Sequence, residues 1–163
     1  MGGFLRFYIK MYNYHVKKFY LKTTLFWGVL LIIAILNAVI REATYKPFLE
    51  PYIGMWAHQI SSFTAIAAFF VAIYVFVKKL EPVPSERNLI IASFIWVVMT
   101  IIFETSMNIF IRKLTLEQTL QTYYFWRGET WILVLLSLIL SPLIALKVIN
   151  KSQLIGHHPS NRQ

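Results

Sequence analysis

Four long stretches of this chain are apolar and nearly free of charged residues, and they constrain the fold more than any other feature. They cover residues 23–40, 59–77, 88–111 and 130–146, and only Glu104 interrupts the third. Each approaches the ~20 residues, at a rise of ~1.5 Å each, that a helix needs to cross a hydrocarbon core. They lack the alternating pattern of a transmembrane strand. The sequence therefore predicts four membrane-spanning helices.

Composition supports an integral membrane protein and excludes thiol chemistry. Hydrophobic residues make up 58% of the chain and charged residues 14%, whereas soluble domains carry about 25% charged residues. With no cysteine, the chain can form neither a disulfide framework nor a thiolate metal site. The first apolar run follows a basic, aromatic segment and has no small-x-small cleavage site, so we expect a retained span rather than a signal peptide.

The distribution of the basic residues predicts the orientation. If the N-terminus is cytoplasmic, eleven of the sixteen Lys and Arg residues lie on the cytoplasmic side and five on the other side. This asymmetry follows the positive-inside rule, and it places both termini in the cytoplasm. The location we expect is the bacterial inner (cytoplasmic) membrane. The net charge of +9 is then a topology signal, and without a binding motif it does not indicate a nucleic-acid partner.

The fold class predicted is all-α: a four-helix transmembrane bundle preceded by a basic amphipathic interfacial helix. That first helix covers residues 1–22, because Arg6, Lys10, Asn13 and Lys17 share one helical face and large apolar side chains share the other. A single membrane domain follows over residues 23–149. Its spans lie at about 23–41, 58–79, 87–111 and 129–147, and residues 150–163 form a loose cytoplasmic tail. Membrane lipids are the first partners expected.

Two connections carry recognisable helix-end signals. The cytoplasmic loop between the second and third spans contains Pro82 and Pro84, and Ser85 can cap the third span. On the other side, Thr115 and Gln118 have the spacing of a capping box, which predicts a short helix ending near Gly128.

Polar residues inside the spans converge on one half of the bundle. Glu104, Asn108 and Arg112 follow one another at intervals of four, so they form a stripe along the third span. An ionised carboxylate at that depth needs a partner, and we expect Glu104 to face Arg41, Arg112 or Arg127. The topology brings the polar ends of all four spans together in the outer half. The candidate ligand-binding residues are Asn37, Arg41, His58, Glu104, Asn108, Arg112, Tyr124, Arg127, Glu129 and Trp131.

Each of these residues also has a purely structural interpretation. A Glu104–Arg pair can fix helix packing, and Asn108 can serve as an interhelical hydrogen-bonding residue. His58 can lie at headgroup level, and arginines can reach toward lipid phosphates. One histidine with scattered carboxylates does not indicate a metal site, and no motif indicates a cofactor.

Three short motifs resemble a family of small, uncharacterised bacterial four-helix integral membrane proteins. They are Asn37-x-x-x-Arg41-Glu42 at the end of the first span, Phe103-Glu104 in the third, and Tyr123-x-x-x-Arg127-Gly128-x-x-Trp131 before the fourth. The resemblance covers about residues 25–147. It implies a fold and a membrane location, and no activity.

Two classes of function fit these features. The first is binding of an anionic amphiphile or lipid in the outer half, or an accessory role with a protein partner or a second copy of the chain. The alternative is an intramembrane enzyme or proton-coupled transporter with Glu104 and His58 as candidate catalytic residues. The inner half offers almost no polar path, and no nucleophile, metal or cofactor motif is present. Binding or an accessory role is therefore favoured over transport and catalysis.

Overall fold

The computed structural model describes residues 2–54, 56–121, 123–124 and 130–156, and every regular element among them is helical. The elements are helix α1 (Gly2–Ile40), a π-helical segment (Arg41–Tyr45), α2 (Lys46–Ile53), α3 (Trp56–Lys78), α4 (Glu86–Ser106), a second π-helical segment (Met107–Ile111), α5 (Leu116–Gln121) and α6 (Trp131–Gly156). The predicted all-α fold is confirmed.

Four of the helical stretches are long and apolar enough to cross a membrane. They are Tyr14–Thr44, Gln59–Lys78, Glu86–Ile111 and Trp131–Gln153. Large apolar side chains point outward along each of them, for example Leu25, Phe63, Ile102 and Leu140, which are all more than half exposed. Such a surface suits lipid rather than water. The four-helix membrane bundle predicted from the apolar runs is confirmed.

The four long helices α1, α3, α6 and α4 follow one another around the bundle in that order, because each contacts the next. The most extensive contact joins α3 and α6. Small buried residues lie on both sides of that contact, including Ala65 on α3 and Ser141 and Ala145 on α6. Small side chains allow helix backbones in a membrane to approach closely.

The centre of the bundle is an apolar core built around Trp96. Its side chain is fully buried, together with Ile73, Leu89 and Leu138. A buried indole N–H needs an acceptor, and Trp96 Nε1 donates to the Thr23 carbonyl oxygen at 2.7 Å. This hydrogen bond ties α4 to α1.

Helix α1 differs from the two-part arrangement that the charge pattern suggested. The amphipathic residues and the first span form one helix of 39 residues, with no break near residue 22. At ~1.5 Å per residue this helix is about 58 Å long, nearly twice the thickness of a hydrocarbon core. The charge pattern changes at Lys22, but neither proline nor glycine stands there to interrupt the backbone hydrogen bonds.

The predicted caps are present. Ser85 accepts a hydrogen bond from the Asn88 N–H at 3.3 Å and so caps α4. At α5 the capping box is complete, because the Gln118 N–H donates to Thr115 Oγ1 at 3.2 Å and the Thr115 N–H donates to Gln118 Oε1 at 2.9 Å. Helix α5 ends at Gln121, however, and so is shorter than the expected helix to Gly128.

The C-terminal segment also differs from expectation. Helix α6 continues to Gly156, so residues 150–156, assigned to a loose tail, are helical. The apolar positions Val148 and Ile149 extend the pattern of the fourth span, and neither proline nor glycine occurs between Pro142 and Gly156. Residues 157–163 lie outside the part of the chain that the structure describes.

Candidate functional site

One end of the bundle gathers the polar residues that the sequence placed within or beside the spans. We call it the polar end: it is where α1 and α4 finish and where α3 and α6 begin. Both π-helical segments lie here, Arg41–Tyr45 after α1 and Met107–Ile111 after α4. The wider turn is visible in the hydrogen bond from the Arg112 N–H to the Met107 carbonyl oxygen at 3.1 Å. Such π-helical turns occur frequently at functional sites.

A cavity of about 300 Å³ opens between α1, α3, α4 and α6 at the polar end. Six of the predicted site residues line it: Asn37, Arg41, Glu104, Asn108, Arg112 and Trp131. The remaining wall is mostly apolar and includes Leu31, Ile35, Ala65, Phe69 and Phe103. The cavity therefore combines a polar cluster with an apolar surface.

Asn37 holds α1 against α3 through its side-chain amide. The Nδ2 group donates to the Ser61 hydroxyl at 2.9 Å and to the Ser61 carbonyl oxygen at 3.0 Å, while Oδ1 accepts from the Thr64 hydroxyl at 2.8 Å. With both ends of the amide engaged, Asn37 has little capacity left for a ligand. This residue is part of the cavity wall, and its hydrogen bonds favour a structural role.

The direct hydrogen-bond partner of Glu104 is a residue that the sequence did not indicate. The phenol of Tyr123 donates a hydrogen bond of 2.7 Å to Glu104 Oε2. Neither Arg41 nor Arg112 forms a salt bridge with this carboxylate, but Arg112 is near enough to attract it electrostatically. A phenol O–H can satisfy a half-buried carboxylate without bringing a second charge into the bundle. Arg127, the third expected partner, lies outside the described residues.

The surroundings of Tyr123 raise the pKa of its phenol. Burial raises the pKa of its phenol above the ordinary value, and the hydrogen bond to the Glu104 carboxylate raises it further. Both effects disfavour the phenolate, because an ionised Tyr123 would face a carboxylate in a poorly hydrated site. The phenol therefore remains a donor over the whole physiological pH range.

The two arginines of the cavity have unequal surroundings. Arg41 forms a salt bridge with Glu42 at 3.0 Å, and Lys46 shares the same carboxylate at 3.1 Å. Arg112 forms no salt bridge with any carboxylate that the structure describes. Its Nη1 donates instead to Asn108 Oδ1 at 3.2 Å. Arg112 is thus the cavity arginine without a salt bridge in this part of the chain, although the nearby Glu104 carboxylate attracts its charge.

Two buried hydrogen-bond donors in the cavity wall are poorly satisfied: Asn108 Nδ2 has no acceptor among the described residues, and Trp131 Nε1 makes no well-formed hydrogen bond, although it interacts with Glu104 and Tyr123. The orientation of the Asn108 amide follows from its neighbour, since a guanidinium can only donate and must face the amide oxygen. The amide nitrogen is then left without a partner, although Asn108 is only 3% exposed. Buried donors are normally satisfied. With the Asn108 and Trp131 donors next to Arg112, the cavity wall has more hydrogen-bond donors than acceptors.

No family model, curated protein or solved structure matches this chain. The family resemblance noted in the sequence therefore stays a prediction, and the site has to be interpreted from its own geometry.

Several predicted residues cannot be placed in the cavity. Arg127 and Glu129 lie outside the described residues, and of His58 the structure describes only the backbone, in the first turn of α3. Tyr124 is described and half-buried, but it does not line the cavity. Among the described residues, no three His, Asp or Glu side chains come close enough to bind a metal ion.

Three contributors escaped the sequence-based selection of site residues: Tyr123, Thr64 and Thr130. Tyr123 reaches Glu104 from the connection between α5 and α6. Thr64 orients Asn37, and the Thr130 hydroxyl donates to Ser62 at 2.6 Å beside the cavity. The tyrosine belongs to an aromatic run that is typical of a membrane interface, so its specific contact had no separate signal. Thr64 lies within α3, where hydroxyl residues commonly bond to neighbouring helices, and Thr130 precedes α6, where hydroxyl residues are common caps, so neither had a distinctive signal.

Proposed function

We propose that this chain is a binding protein of the bacterial cytoplasmic membrane, and that its polar-end cavity holds an anionic amphiphile. The single observation that carries the proposal is the excess of donors in the wall: Asn108 Nδ2 has no acceptor among the described residues, Trp131 Nε1 makes no well-formed hydrogen bond there, and the Arg112 guanidinium forms no salt bridge with a described carboxylate. A phosphate or carboxylate group supplies several acceptor oxygens and one negative charge at once. It would satisfy all three donors.

The apolar part of the ligand would rest against the remaining wall. Leu31, Ile35, Ala65 and Phe69 provide a continuous apolar surface beneath the polar cluster. Ligand cavities commonly pair such a surface with a few oriented polar groups. The volume of about 300 Å³ accommodates a headgroup and the first segment of a chain, not a whole phospholipid. The excess of basic residues at the opposite end supports a non-cytoplasmic location for the cavity.

Transport is less well supported than binding. Between the cavity and the opposite end, the described core consists of apolar side chains such as Ile73, Leu89 and Leu138. The buried hydroxyls of Thr23 and Ser93 are both bonded to backbone carbonyl oxygens of their own helices. A proton-coupled transporter would need a chain of available polar groups through this region.

Binding of dodecyl phosphate to the purified protein tests the proposal, with dodecanol as the neutral probe of equal chain length. Because charged hydrogen bonds contribute about 1.5–3 kcal/mol, Arg112→Gln should weaken dodecyl phosphate binding by about tenfold or more and leave dodecanol binding unchanged. Lys113→Gln is the matched control, since it removes a neighbouring exposed charge that does not line the cavity. It should change the dissociation constant less than about twofold.

Trp131→Phe provides an independent check on the same site. The variant keeps an aromatic ring and removes the indole N–H, which makes no well-formed hydrogen bond with the described residues. Dodecyl phosphate binding should weaken, while the melting temperature without ligand should change little. Equal binding by the parent, Arg112→Gln and Trp131→Phe proteins would show that the donor cluster is structural and that the proposal is wrong.

A further inference from the structure

A second cavity lies at the opposite end of the bundle, where helix α1 passes the turn between α3 and α4. Its volume is about 380 Å³. From α1 it is lined by His15, Lys18 and Lys22, and from the turn by Glu81 and Ser85. The apolar lining includes Val16, Phe19, Leu80 and Val83. The basic side chains, which we call the basic rim, lie beside this apolar lining, and an anionic lipid headgroup with its first chain atoms requires both.

The charges of this rim are not neutralised within the described structure. Neither Lys18 nor Lys22 forms a salt bridge with a described carboxylate, although Glu81 lines the same cavity. Lys18 Nζ lies 5.9 Å from the centre of the Tyr14 ring, a weak contact that leaves its charge in place. The hydroxyl of Ser85 is already used to accept from the Asn88 N–H. Two lysines thus share the cavity with a single carboxylate.

The position of the cavity along the bundle matches the level of lipid phosphates. Helix α3 ends at Lys78 and α4 begins at Glu86, so the turn between them marks the end of the hydrocarbon region. The apolar part of α1 starts immediately after Lys22. The lysine side chains therefore lie where the spans leave the membrane, which is the depth of the headgroups.

We propose that this cavity binds the phosphate headgroup of an anionic phospholipid through Lys18 and Lys22. The occupant is a lipid rather than free phosphate, because the apolar lining residues Phe19, Leu80 and Val83 contribute nothing to the binding of an inorganic ion. The site is separate from the polar-end cavity, since it lies at the other end of the bundle and shares no residue with it.

Titration of the detergent-solubilised chain with phosphatidylglycerol, followed by native mass spectrometry, tests this proposal. All proteins in this experiment also carry Arg112→Gln, so that the polar-end cavity contributes as little as possible to the measured phosphatidylglycerol binding. Lys18→Gln/Lys22→Gln should weaken phosphatidylglycerol binding by about tenfold or more. The matched control is Lys10→Gln/Lys17→Gln, which removes the same charge from exposed positions of the same helix that do not line the cavity. It should change binding less than about twofold.

A second lipid, a Lys→Arg variant and inorganic phosphate distinguish headgroup binding from a general effect of charge. Phosphatidylcholine should bind more weakly than phosphatidylglycerol, and Lys18→Arg/Lys22→Arg should bind phosphatidylglycerol as the parent does. Equal losses in the two Lys→Gln double variants would overturn the proposal, because they would show a general charge effect. It would also be overturned by equal affinity for the two lipids, by loss of binding in the Lys→Arg variant, or by displacement of phosphatidylglycerol with inorganic phosphate alone.

Discussion

A carboxylate within a membrane span needs a hydrogen-bond donor, and for Glu104 that donor is the phenol of Tyr123 at 2.7 Å. Because a hydrogen bond to a charged group contributes about 1.5–3 kcal/mol, Tyr123→Phe should lower the free energy of unfolding by about that amount. Tyr52→Phe is the control, since Tyr52 is 86% exposed on α2. Thermal unfolding in detergent measures both, and equal melting temperatures for the two variants would contradict the assigned role.

The same contact should produce a pH dependence on the alkaline side. Burial and the Glu104 carboxylate raise the pKa of Tyr123 in the folded chain above the ordinary value of 10.0. Above pH ~10 the unfolded chain releases the phenolic proton and the folded chain retains it, so stability falls as pH rises. The stabilising contribution of Tyr123 is complete below pH ~10 and is lost above it. The difference in melting temperature between the parent and Tyr123→Phe should shrink from pH ~9 to ~11; a constant or growing difference would contradict this prediction.

For individual residues, the sequence predicted which of these side chains lie around the same cavity but not which of them form hydrogen bonds or salt bridges with one another. The interval of four residues from Glu104 to Asn108 and Arg112, together with the topology, was enough to place these side chains with Asn37 and Arg41 around one cavity. The choice of hydrogen-bond partner depends on differences of a few tenths of an ångström in atomic position and on the conformation of the connecting loops. Tyr123 comes from a connection without regular periodicity, so its contact with Glu104 could not be derived from spacing.

The hydropathy of the sequence also limits what can be predicted about the helices themselves. The apolar runs located all four spans, because each is long enough to cross the membrane. They did not indicate the π-helical segments, since one wider turn leaves the apolar pattern of the whole helix almost unchanged. These segments follow α1 and α4 at the cavity, and they determine where Arg41 and Arg112 lie on their helices.

Two helix ends in this region use the left-handed backbone conformation, and they should respond in opposite ways to substitution. Gly54 follows α2 with φ 54°, and Lys113 follows the second π-helical segment with φ 57°. Gly54→Ala would meet no neighbouring atoms, so its effect should come from backbone strain alone, a loss of about 1 kcal/mol. Lys113→Gly should relieve the same strain and stabilise by about 0.5–1 kcal/mol. Denaturant or thermal unfolding measures both, and changes of the same sign would contradict the assignment.

The whole molecule divides into three levels along the bundle axis. The polar end carries Glu104, Asn108 and Arg112, the middle is the apolar core around Trp96, and the opposite end carries Lys18 and Lys22. Each level has a different kind of interaction: oriented hydrogen bonds, close packing, and unpaired positive charge. This division favours binding at the two surfaces over passage through the centre, because the core that separates the cavities is apolar.

The orientation of these levels can be tested with cysteines, because the chain has none of its own. Glu86, Glu117 and Ser152 are exposed, lie outside both cavities and occupy α4, α5 and α6. In the four-span topology with cytoplasmic termini, Glu86→Cys and Ser152→Cys face the cytoplasm and Glu117→Cys faces the other side. A membrane-impermeant maleimide should therefore label only Glu117→Cys in intact cells, and all three after permeabilisation. Labelling of Glu86→Cys and Ser152→Cys but not Glu117→Cys in intact cells would show the inverted orientation, and the polar-end cavity would then open to the cytoplasm.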